Sequence, residues 1–331
     1  MSDLIRWMEE CIAQKAFPGC AAAFGTSEGF EVVTAGRLTY DADSAPVSPE
    51  TIYDLASLTK VVATTPLVHD LGIPLDARVC DYWHAFQLPA TIRQLLTHSS
   101  GLVSHRQYDE LAQNPEHFWS LIAGEGSEYP ADTQSVYSCV GFLTLFQVIQ
   151  RTSGRGFAEL FSERVAEPLG MRSTFHIPVP AGCRDRARSW PGESQIAPTE
   201  VEGVVHDENS RYAGGVSGNA GLFGTAPDLA RFCQAMLRGR ISEDWLRPWA
   251  PWTTRGLGWD TKSPSGSSAG IRFGPKSYGH TGYTGTSIWI DPEAGRFGVL
   301  LTNRVYPTRE NQAQLWFRPE FYDQIYSLLR G

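Results

Sequence analysis

The stretch Tyr53-Asp54-Leu55-Ala56-Ser57-Leu58-Thr59-Lys60-Val61-Val62 places a serine three residues before a lysine, at the start of an apolar run. In a helix this spacing puts the hydroxyl and the ammonium on one face, one turn apart. Serine is a poor nucleophile at neutral pH, and a lysine held close by in a partly dry cleft can help to remove its proton. The N-terminus of the helix would also favour an oxyanion beside Ser57. We therefore predict that Ser57 is an activated nucleophile.

The alternative is a serine and a lysine that merely share the exposed face of a helix. The context argues against it, because the chain has four lysines and only Lys60 follows a serine at this spacing. We expect the helix to run from Ser57 to about Asp70. Pro66 should kink or shorten it, since proline lacks the N–H donor and clashes one turn back.

The composition is that of a soluble globular protein. The 331 residues are 42% hydrophobic and 19% charged, enough for one large or two closely packed domains. The net charge of −8 and the absence of a Lys/Arg-rich run argue against a nucleic-acid partner. No apolar run approaches the ~20 residues of a membrane helix. The N-terminal residues favour an amphipathic helix over a signal peptide, so we expect a cytoplasmic protein without a membrane partner.

The cysteines have no regular spacing. There are six of them, without a C-x-x-C pair and mostly with apolar neighbours. Buried free thiols fit this pattern better than a disulfide framework. The cysteines are Cys11, Cys20, Cys80, Cys139, Cys183 and Cys233.

Apolar patterns at both ends of the chain predict one α/β domain. After the first helix, residues 19–24 and 30–33 favour a β-hairpin. The other strand predictions are 256–259, 286–290 and 297–302. A terminal helix is predicted from about 309 to 330, interrupted at Pro319.

The middle of the chain has mainly helical patterns. We therefore assign 1–72 and 240–331 to a discontinuous α/β domain and 73–239 to a mainly helical domain. Two long irregular stretches, 178–200 and 201–225, are expected to be functional, because long loops in a compact domain seldom lack a role. The predicted helices of this region are 92–98, 118–123, 140–150, 157–165 and 229–237.

Two further clusters carry polar groups at the ends of predicted elements. Tyr137-Ser138-Cys139 opens a helix, and His280-Thr281-Gly282 opens a strand. A tyrosine near a lysine can act as a base, and a glycine at a strand edge lets a substrate approach the backbone. Alone, each cluster is more typical of a capped helix or a β-turn.

In this order and spacing, Ser57-x-x-Lys60, Tyr137-Ser138-Cys139 and His280-Thr281-Gly282 resemble the three motifs of the serine β-lactamase and penicillin-binding-protein superfamily. The sequence is most similar to class C β-lactamases, D-alanyl-D-alanine carboxypeptidases and family VIII esterases. The resemblance covers nearly the whole chain. Supporting stretches are 54–60, 95–102, 221–230 and 280–286.

The resemblance implies an α+β fold and a set of roles. The fold has an antiparallel sheet flanked by the terminal helices and an inserted all-α domain, with the active site in the cleft between. Ser57 would be the acylated nucleophile. Lys60 and Tyr137 would form the base pair that takes its proton and later activates water. The backbone amides of Ser57 and Tyr283 would form the oxyanion hole. The implied substrate contacts are Cys139, His280, Thr281 and Gly282.

The implied substrates are small molecules: an ester, a β-lactam or a D-Ala peptide. No cofactor and no metal is implied, and the oligomeric state stays open. Two departures favour esters. Cys139 stands where penicillin-recognising members usually carry an asparagine that contacts the substrate, and it cannot make that hydrogen bond. His280 stands where many relatives carry lysine, and histidine is mostly neutral at pH 7. Histidine also occurs here among peptidases of the family, so carboxypeptidase and β-lactamase activities remain alternatives.

Three other interpretations are weaker. Gly266-Ser267-Ser268-Ala269-Gly270 matches a nucleophile-elbow pattern, but it lies in a Ser/Gly/Pro loop without the required strand and helix. His206-Asp207-Glu208 could suggest a metal site, yet three consecutive residues of an extended chain cannot converge on one ion. A solvated or cleft-lining loop fits better. A catalytically silent binding protein of the same fold is the third alternative.

Overall fold

The computed structural model describes residues 1–184 and 196–329. Its strands are β1 (Gly19–Thr26), β2 (Phe30–Gly36), β3 (Tyr53–Asp54), β4 (Phe175–His176), β5 (Leu222–Gly224), β6 (Asp260–Thr261), β7 (Tyr278–Thr281), β8 (Ser287–Asp291) and β9 (Arg296–Thr302). Its helices are α1 (Ser2–Ala13), α2 (Thr65–Asp70), α3 (Ile92–Leu96), α4 (Tyr108–Leu111), α5 (Pro115–Ala123), α6 (Cys139–Ser153), α7 (Phe157–Phe161), α8 (Glu208–Tyr212), α9 (Ala226–Leu237), α10 (Glu243–Leu246) and α11 (Gln314–Leu328).

The main sheet is antiparallel and joins the two ends of the chain. Its strand order is β2-β1-β9-β8-β7-β6. Strand β1, the second in this order, is almost entirely buried and pairs with β2 through a hairpin and with β9 on its other side. Ala22 lies opposite both Val33 and Leu300. At the other end of the sheet, β6 is the edge strand, and its neighbour β7 carries His280 and Thr281.

The alternation of side chains along the strands divides the core into two layers. Ala22 and Leu300 face α1 and α11, where Met8 and Phe321 pack in the same cluster. Their neighbours on the opposite face, including Val299, belong to the larger cluster that continues into the helical region. The sheet therefore lies between the terminal helices and the rest of the protein, and the predicted α+β architecture is confirmed.

The central region is mainly helical but also contains a small sheet. This small sheet has three antiparallel strands in the order β3-β5-β4. Helix α9 contacts β1 and β9 of the main sheet. The assignment of 1–72 with 240–331 and of 73–239 to separate domains stays a prediction.

Several predicted elements are confirmed with shifted ends. The first helix and the hairpin are present, and the hairpin strands extend to Thr26 and Gly36. The central helices near 92, 118, 140, 157 and 229 are all present as α3, α5, α6, α7 and α9. Part of the predicted irregular stretch 178–200 lies outside the described residues. None of the described helices has the length and apolar character needed to cross a membrane.

The helix that follows Ser57 is less regular than predicted. It consists of a 3₁₀ turn over Ala56–Leu58, a π-helical turn over Lys60–Thr64 and then α2. Pro66 explains the wider turn, since it has no N–H to donate and its ring crowds the preceding turn. The Thr65 N–H donates instead to the Lys60 carbonyl, five residues back.

The strand prediction for 256–259 was wrong. Gly258 has a φ of +84°, and a side chain there would lie 2.0 Å from Thr65 Oγ1. Its N–H donates to the Leu96 carbonyl at 2.9 Å, so this segment packs against the helices instead of joining the sheet ladder. The edge strand β6 begins only at Asp260.

The C-terminal helix also differs from the prediction. It begins at Gln314 and continues through Pro319 without interruption. Because Pro319 has no N–H, the carbonyl of Leu315, four residues earlier, lacks its usual donor in the helix. Leu315 is 73% exposed, so water is available at this position of the helix.

Candidate active site

Ser57 lies in a strained turn directly after β3. Ala56, just before it, has a φ of +47°, in the left-handed region that non-glycine residues rarely adopt. The carboxylate of Asp54 holds this conformation by accepting the Ala56 N–H at 2.8 Å, and its other oxygen accepts the His206 N–H at 2.7 Å. Burial raises the pKa of Asp54 to about 6. One side chain thus fixes the Ser57 turn and ties it to the stretch 201–225.

Lys60 is fully buried and points back at Ser57. Its Nζ donates to Ser57 Oγ at 3.1 Å and to the Asn219 carbonyl at 2.8 Å. Cys139 Sγ lies 3.7 Å from the same nitrogen. The ammonium is also 5.0 Å from the centre of the Tyr137 ring. Residues from three separate stretches, at 57–60, 137–139 and 219, therefore meet around the Lys60 ammonium.

The electrostatics of this cluster favour a protonated resting state. Burial raises the pKa of Tyr137, although the nearby Lys60 charge opposes this effect. Burial alone would lower the pKa of Lys60, but the adjacent Cys139 and Tyr137 outweigh it and raise that pKa. Lys60 is thus an ammonium and Tyr137 a neutral phenol near pH 7, and a proton must leave the pair before either can act as a base.

The loop after β7 packs directly onto the Ser57 turn. Thr284 Oγ1 donates to the Asp54 carbonyl at 2.7 Å, and Thr286 Oγ1 donates to the Leu55 carbonyl at 3.1 Å. A side chain at Gly282 would lie 2.6 Å from the Leu55 carbonyl oxygen. Only glycine allows the two backbones to approach this closely.

Two peptide planes at this junction have fixed orientations. Thr59 Oγ1 donates to the Ala56 carbonyl at 2.7 Å, and Arg318 donates to the Gly282 carbonyl. In a trans peptide the C=O and the following N–H point in opposite directions. The N–H groups of Ser57 and Tyr283 therefore point away from Thr59 and Arg318 respectively, and both residues line the cavities described next.

The site opens into a cavity of about 420 Å³ on the Cys139 side of Ser57. Tyr283 is 49% exposed and stacks on His206, with ring centroids 5.7 Å apart. The stretch His206-Asp207-Glu208 thus lines the cavity, which agrees with the cleft-lining alternative. No group of three metal-binding side chains was found among residues 1–184 and 196–329.

A second cavity of about 280 Å³ lies on the His280 side of Ser57. Burial lowers the pKa of His280 well below its usual value, so the ring is neutral. Its Nε2 is buried and has no hydrogen-bond partner among residues 1–184 and 196–329. Positive charge comes instead from Arg255 and Arg318, which line the same cavity, and Arg255 is paired with Asp260.

Sequence reasoning missed these arginines and also His98. His98 Nδ1 accepts the Ser138 N–H at 2.9 Å, and its ring lies 4.8 Å from that of Tyr137. His98 has a φ of +56°. The resemblance to a family points to the stretch 95–102, but the contact of His98 with Tyr137 depends on tertiary packing.

The rival nucleophile lies elsewhere. Ser268 belongs to an irregular loop, with neither a strand before it nor a helix after it. Its Oγ accepts the indole N–H of Trp289 at 3.1 Å. Ser268 is therefore a structural hydrogen-bond acceptor on the far side of the sheet from Lys60 and Tyr137, since Trp289 packs with the terminal helices.

Comparisons with known proteins identify the family and the fold. The family model described as Beta-lactamase matches residues 4–321. A protein of Escherichia coli (strain K12), provisionally named a D-alanyl-D-alanine carboxypeptidase, is 28% identical over 77% of this chain and 69% of its own length.

Solved structures share the fold. The octameric penicillin-binding protein homologue from Pyrococcus abyssi has a TM-score of 0.72 at 21% identity, covering 95% of this chain and 77% of that chain. EstCE1, described as a hydrolase with promiscuous acyltransferase activity, has a TM-score of 0.73 at 18% identity, covering 97% of this chain and 98% of that chain. At such identities these likenesses establish the fold alone. The family match extends over nearly the whole sequence, including all three motifs, and it confirms the resemblance drawn from them. The chain therefore belongs to the Beta-lactamase family of serine hydrolases.

Proposed function

We propose that this protein hydrolyses small esters through an acyl-enzyme on Ser57. Ser57 Oγ attacks the ester carbonyl while its proton passes to the Lys60/Tyr137 pair. The pair returns that proton to the departing alcohol and then takes one from the water that releases the acyl group. The 3.1 Å hydrogen bond between Lys60 Nζ and Ser57 Oγ supports the first step.

The oxyanion of the tetrahedral intermediate would be bound by the N–H groups of Ser57 and Tyr283. Their orientation is set by Thr59 and Arg318, which hold the preceding carbonyls. In other acyl-transfer enzymes the loss of one such donor costs roughly 2.7–4 kcal/mol. We place this site in the cleft between two domains. One is the discontinuous domain of residues 1–72 and 240–331, and the other is the mainly helical domain of residues 73–239.

The observation that carries the ester preference is Cys139. It contacts Lys60 at 3.7 Å and lines the cavity beside Ser57, where a side-chain amide would recognise a peptide or β-lactam amide. A thiol is a weak donor and a weak acceptor. An ester also expels its alcohol more readily than an amide expels its amine, so ester cleavage tolerates the missing contact better.

Substrate preference can be measured directly. We expect a higher kcat/KM for p-nitrophenyl acetate or butyrate than for a cephalosporin or a D-Ala-D-Ala peptide. Each lost hydrogen bond to a polar substrate group is worth about 0.5–1.5 kcal/mol, more where a charge is involved. Cys139→Asn should therefore raise activity on the β-lactam relative to the ester. A wild-type enzyme that prefers the cephalosporin or the peptide would refute the ester preference and leave the Ser57 mechanism standing.

A second candidate is D-alanyl-D-alanine carboxypeptidase activity. Arg255 and Arg318 line the cavity on the His280 side of Ser57, where a substrate carboxylate could bind. They supply positive charge that neutral His280 does not. The provisional name of the Escherichia coli relative agrees with this alternative. The same three-substrate comparison decides between the two activities.

The role of Arg318 in positioning the Tyr283 amide can be tested by Arg318→Met. We expect kcat for the p-nitrophenyl ester to fall by roughly tenfold to a hundredfold with KM little changed, because an oxyanion contact acts mainly in the transition state. Circular dichroism and thermal unfolding establish that the variant is folded. A folded variant in which only KM rises would instead place Arg318 in ground-state substrate binding.

A further inference from the structure

We propose that Cys139 is a covalent modification site, at which a small disulfide forms a mixed disulfide and thereby excludes substrate from Ser57. This inference goes beyond the proposed ester hydrolysis, because it concerns a different nucleophile. It rests on the position of the thiol, on the charged groups around it and on its contrast with the other cysteines.

Cys139 occupies an accessible position inside the active site. It is the first residue of the 15-residue helix α6 and is partly exposed. It lines the 420 Å³ cavity together with Ser57, Tyr137 and His105. A molecule that reaches Ser57 from this side therefore also reaches the sulfur.

The groups that face Cys139 come from three stretches and act in both directions. Burial and the negative charge of Asp207 disfavour the thiolate. The Lys60 ammonium, 3.7 Å away, and a hydrogen bond with His105 outweigh them, so the pKa of Cys139 is lowered. The same hydrogen bond raises the pKa of His105. The N-terminus of α6 adds a further partial positive charge.

The other cysteines lack this combination. Burial raises the pKa of Cys11 to about 12, and it also raises the pKa values of Cys20 and Cys233. Cys80 is partly exposed, but its Sγ lies 4.0 Å from the carboxylate of Asp81. Cys183 is partly exposed and packs against a small valine cluster. Cys80 thus serves as an internal control of similar exposure, because the charge beside its sulfur is the Asp81 carboxylate, which is itself paired with Arg78.

The chemistry is thiol–disulfide exchange. The Cys139 thiolate attacks one sulfur of a disulfide RSSR, and the new Cys139–SR bond forms as the RS–SR bond breaks. The leaving thiolate RS⁻ takes up the proton that Cys139 released to its surroundings. The products are the mixed disulfide and RSH, so the disulfide is the only oxidant required.

The test uses the full chain and 2-hydroxyethyl disulfide at pH 7, with adducts located by peptide mass spectrometry. Cys139 is expected to react roughly tenfold or more faster than Cys80, in line with the effect of neighbouring cations on thiols. Activity on a p-nitrophenyl ester should fall in step with the Cys139 adduct and return after treatment with dithiothreitol. Cys80→Ser should be inactivated at the wild-type rate.

Two further measurements separate this inference from the proposed function. Prior labelling with a fluorophosphonate should slow the reaction of Cys139 but not that of Cys80. His105→Ala should slow labelling of Cys139 severalfold and move its pH midpoint upward, with Cys80 unaffected. The relative labelling rates of Cys139 and Cys80 and the effect of His105→Ala remain valid readouts even if the protein hydrolyses no ester and Ser57 forms no fluorophosphonate adduct. First modification of Cys80 or Cys183, or full activity with Cys139 modified, would overturn the proposal.

Discussion

Replacement of Ser57 by alanine is expected to abolish acyl-enzyme formation and to lower kcat by about 10⁶-fold, as in other hydrolases that lose their nucleophile. The expectation follows from the hydrogen bond that Ser57 Oγ accepts from Lys60 Nζ at 3.1 Å, and from the position of Ser57 in the lining of two cavities. The adduct formed by a fluorophosphonate should be found on Ser57 by mass spectrometry and be absent from the variant.

Ser268→Ala is the matched control. Within residues 1–184 and 196–329 its hydroxyl accepts only the indole N–H of Trp289, which packs against the terminal helices. We expect activity close to that of the wild type. An adduct on Ser268 would overturn the assignment of the nucleophile, whereas a wild-type protein without any adduct would support a silent binding protein.

Tyr137→Phe should lower kcat by the ~10²–10⁴-fold expected for the loss of a positioned base. Phenylalanine keeps the contacts of the ring with His98 and with the Lys60 ammonium, so the change removes only the hydroxyl. The variant should bind a fluorophosphonate at Ser57 slowly but still fold, which thermal unfolding can establish.

The pH–rate profile of the wild-type enzyme should depend on the Tyr137 hydroxyl. The base is active only after the Lys60/Tyr137 pair loses a proton, and both pKa values are raised. The rate of ester hydrolysis should therefore rise with pH, and the ascending limb of the profile should lie above neutral pH. The limb belongs to the pair and not to one residue. A loss of less than tenfold in Tyr137→Phe with an unchanged profile would mean that Lys60 acts without the tyrosine.

The elements predicted correctly depend on local patterns. Ser57 and Lys60 could be placed together because three residues in a helical turn bring side chains to one face. The β-hairpin could be predicted because two apolar runs flank a short glycine-containing turn. The resemblance to a family then linked these residues to Tyr137 and His280, which no periodicity could bring together.

The features that sequence reasoning missed depend on tertiary contacts. Arg318 lies on a predicted helix, but its bond to the Gly282 carbonyl depends on how α11 packs across the sheet. His105 has no motif of its own, and its approach to Cys139 follows from the path of the loop before α4. The error at 256–259 has the same origin, because Gly258 packs against Thr65 at a distance that only the folded chain defines.

The position of β1 has a consequence for the order of folding. It pairs with β2, which is close in sequence, but also with β9, where Cys20 lies opposite Thr302. Pairing of such distant segments requires the closure of a long loop, which makes this step slow. During synthesis the hairpin must wait for β9 to leave the ribosome before the sheet can be completed. The loop that carries Tyr283 lies between β7 and β8 of that sheet, so reactivity towards a fluorophosphonate should appear only in nascent chains from which β9 has emerged.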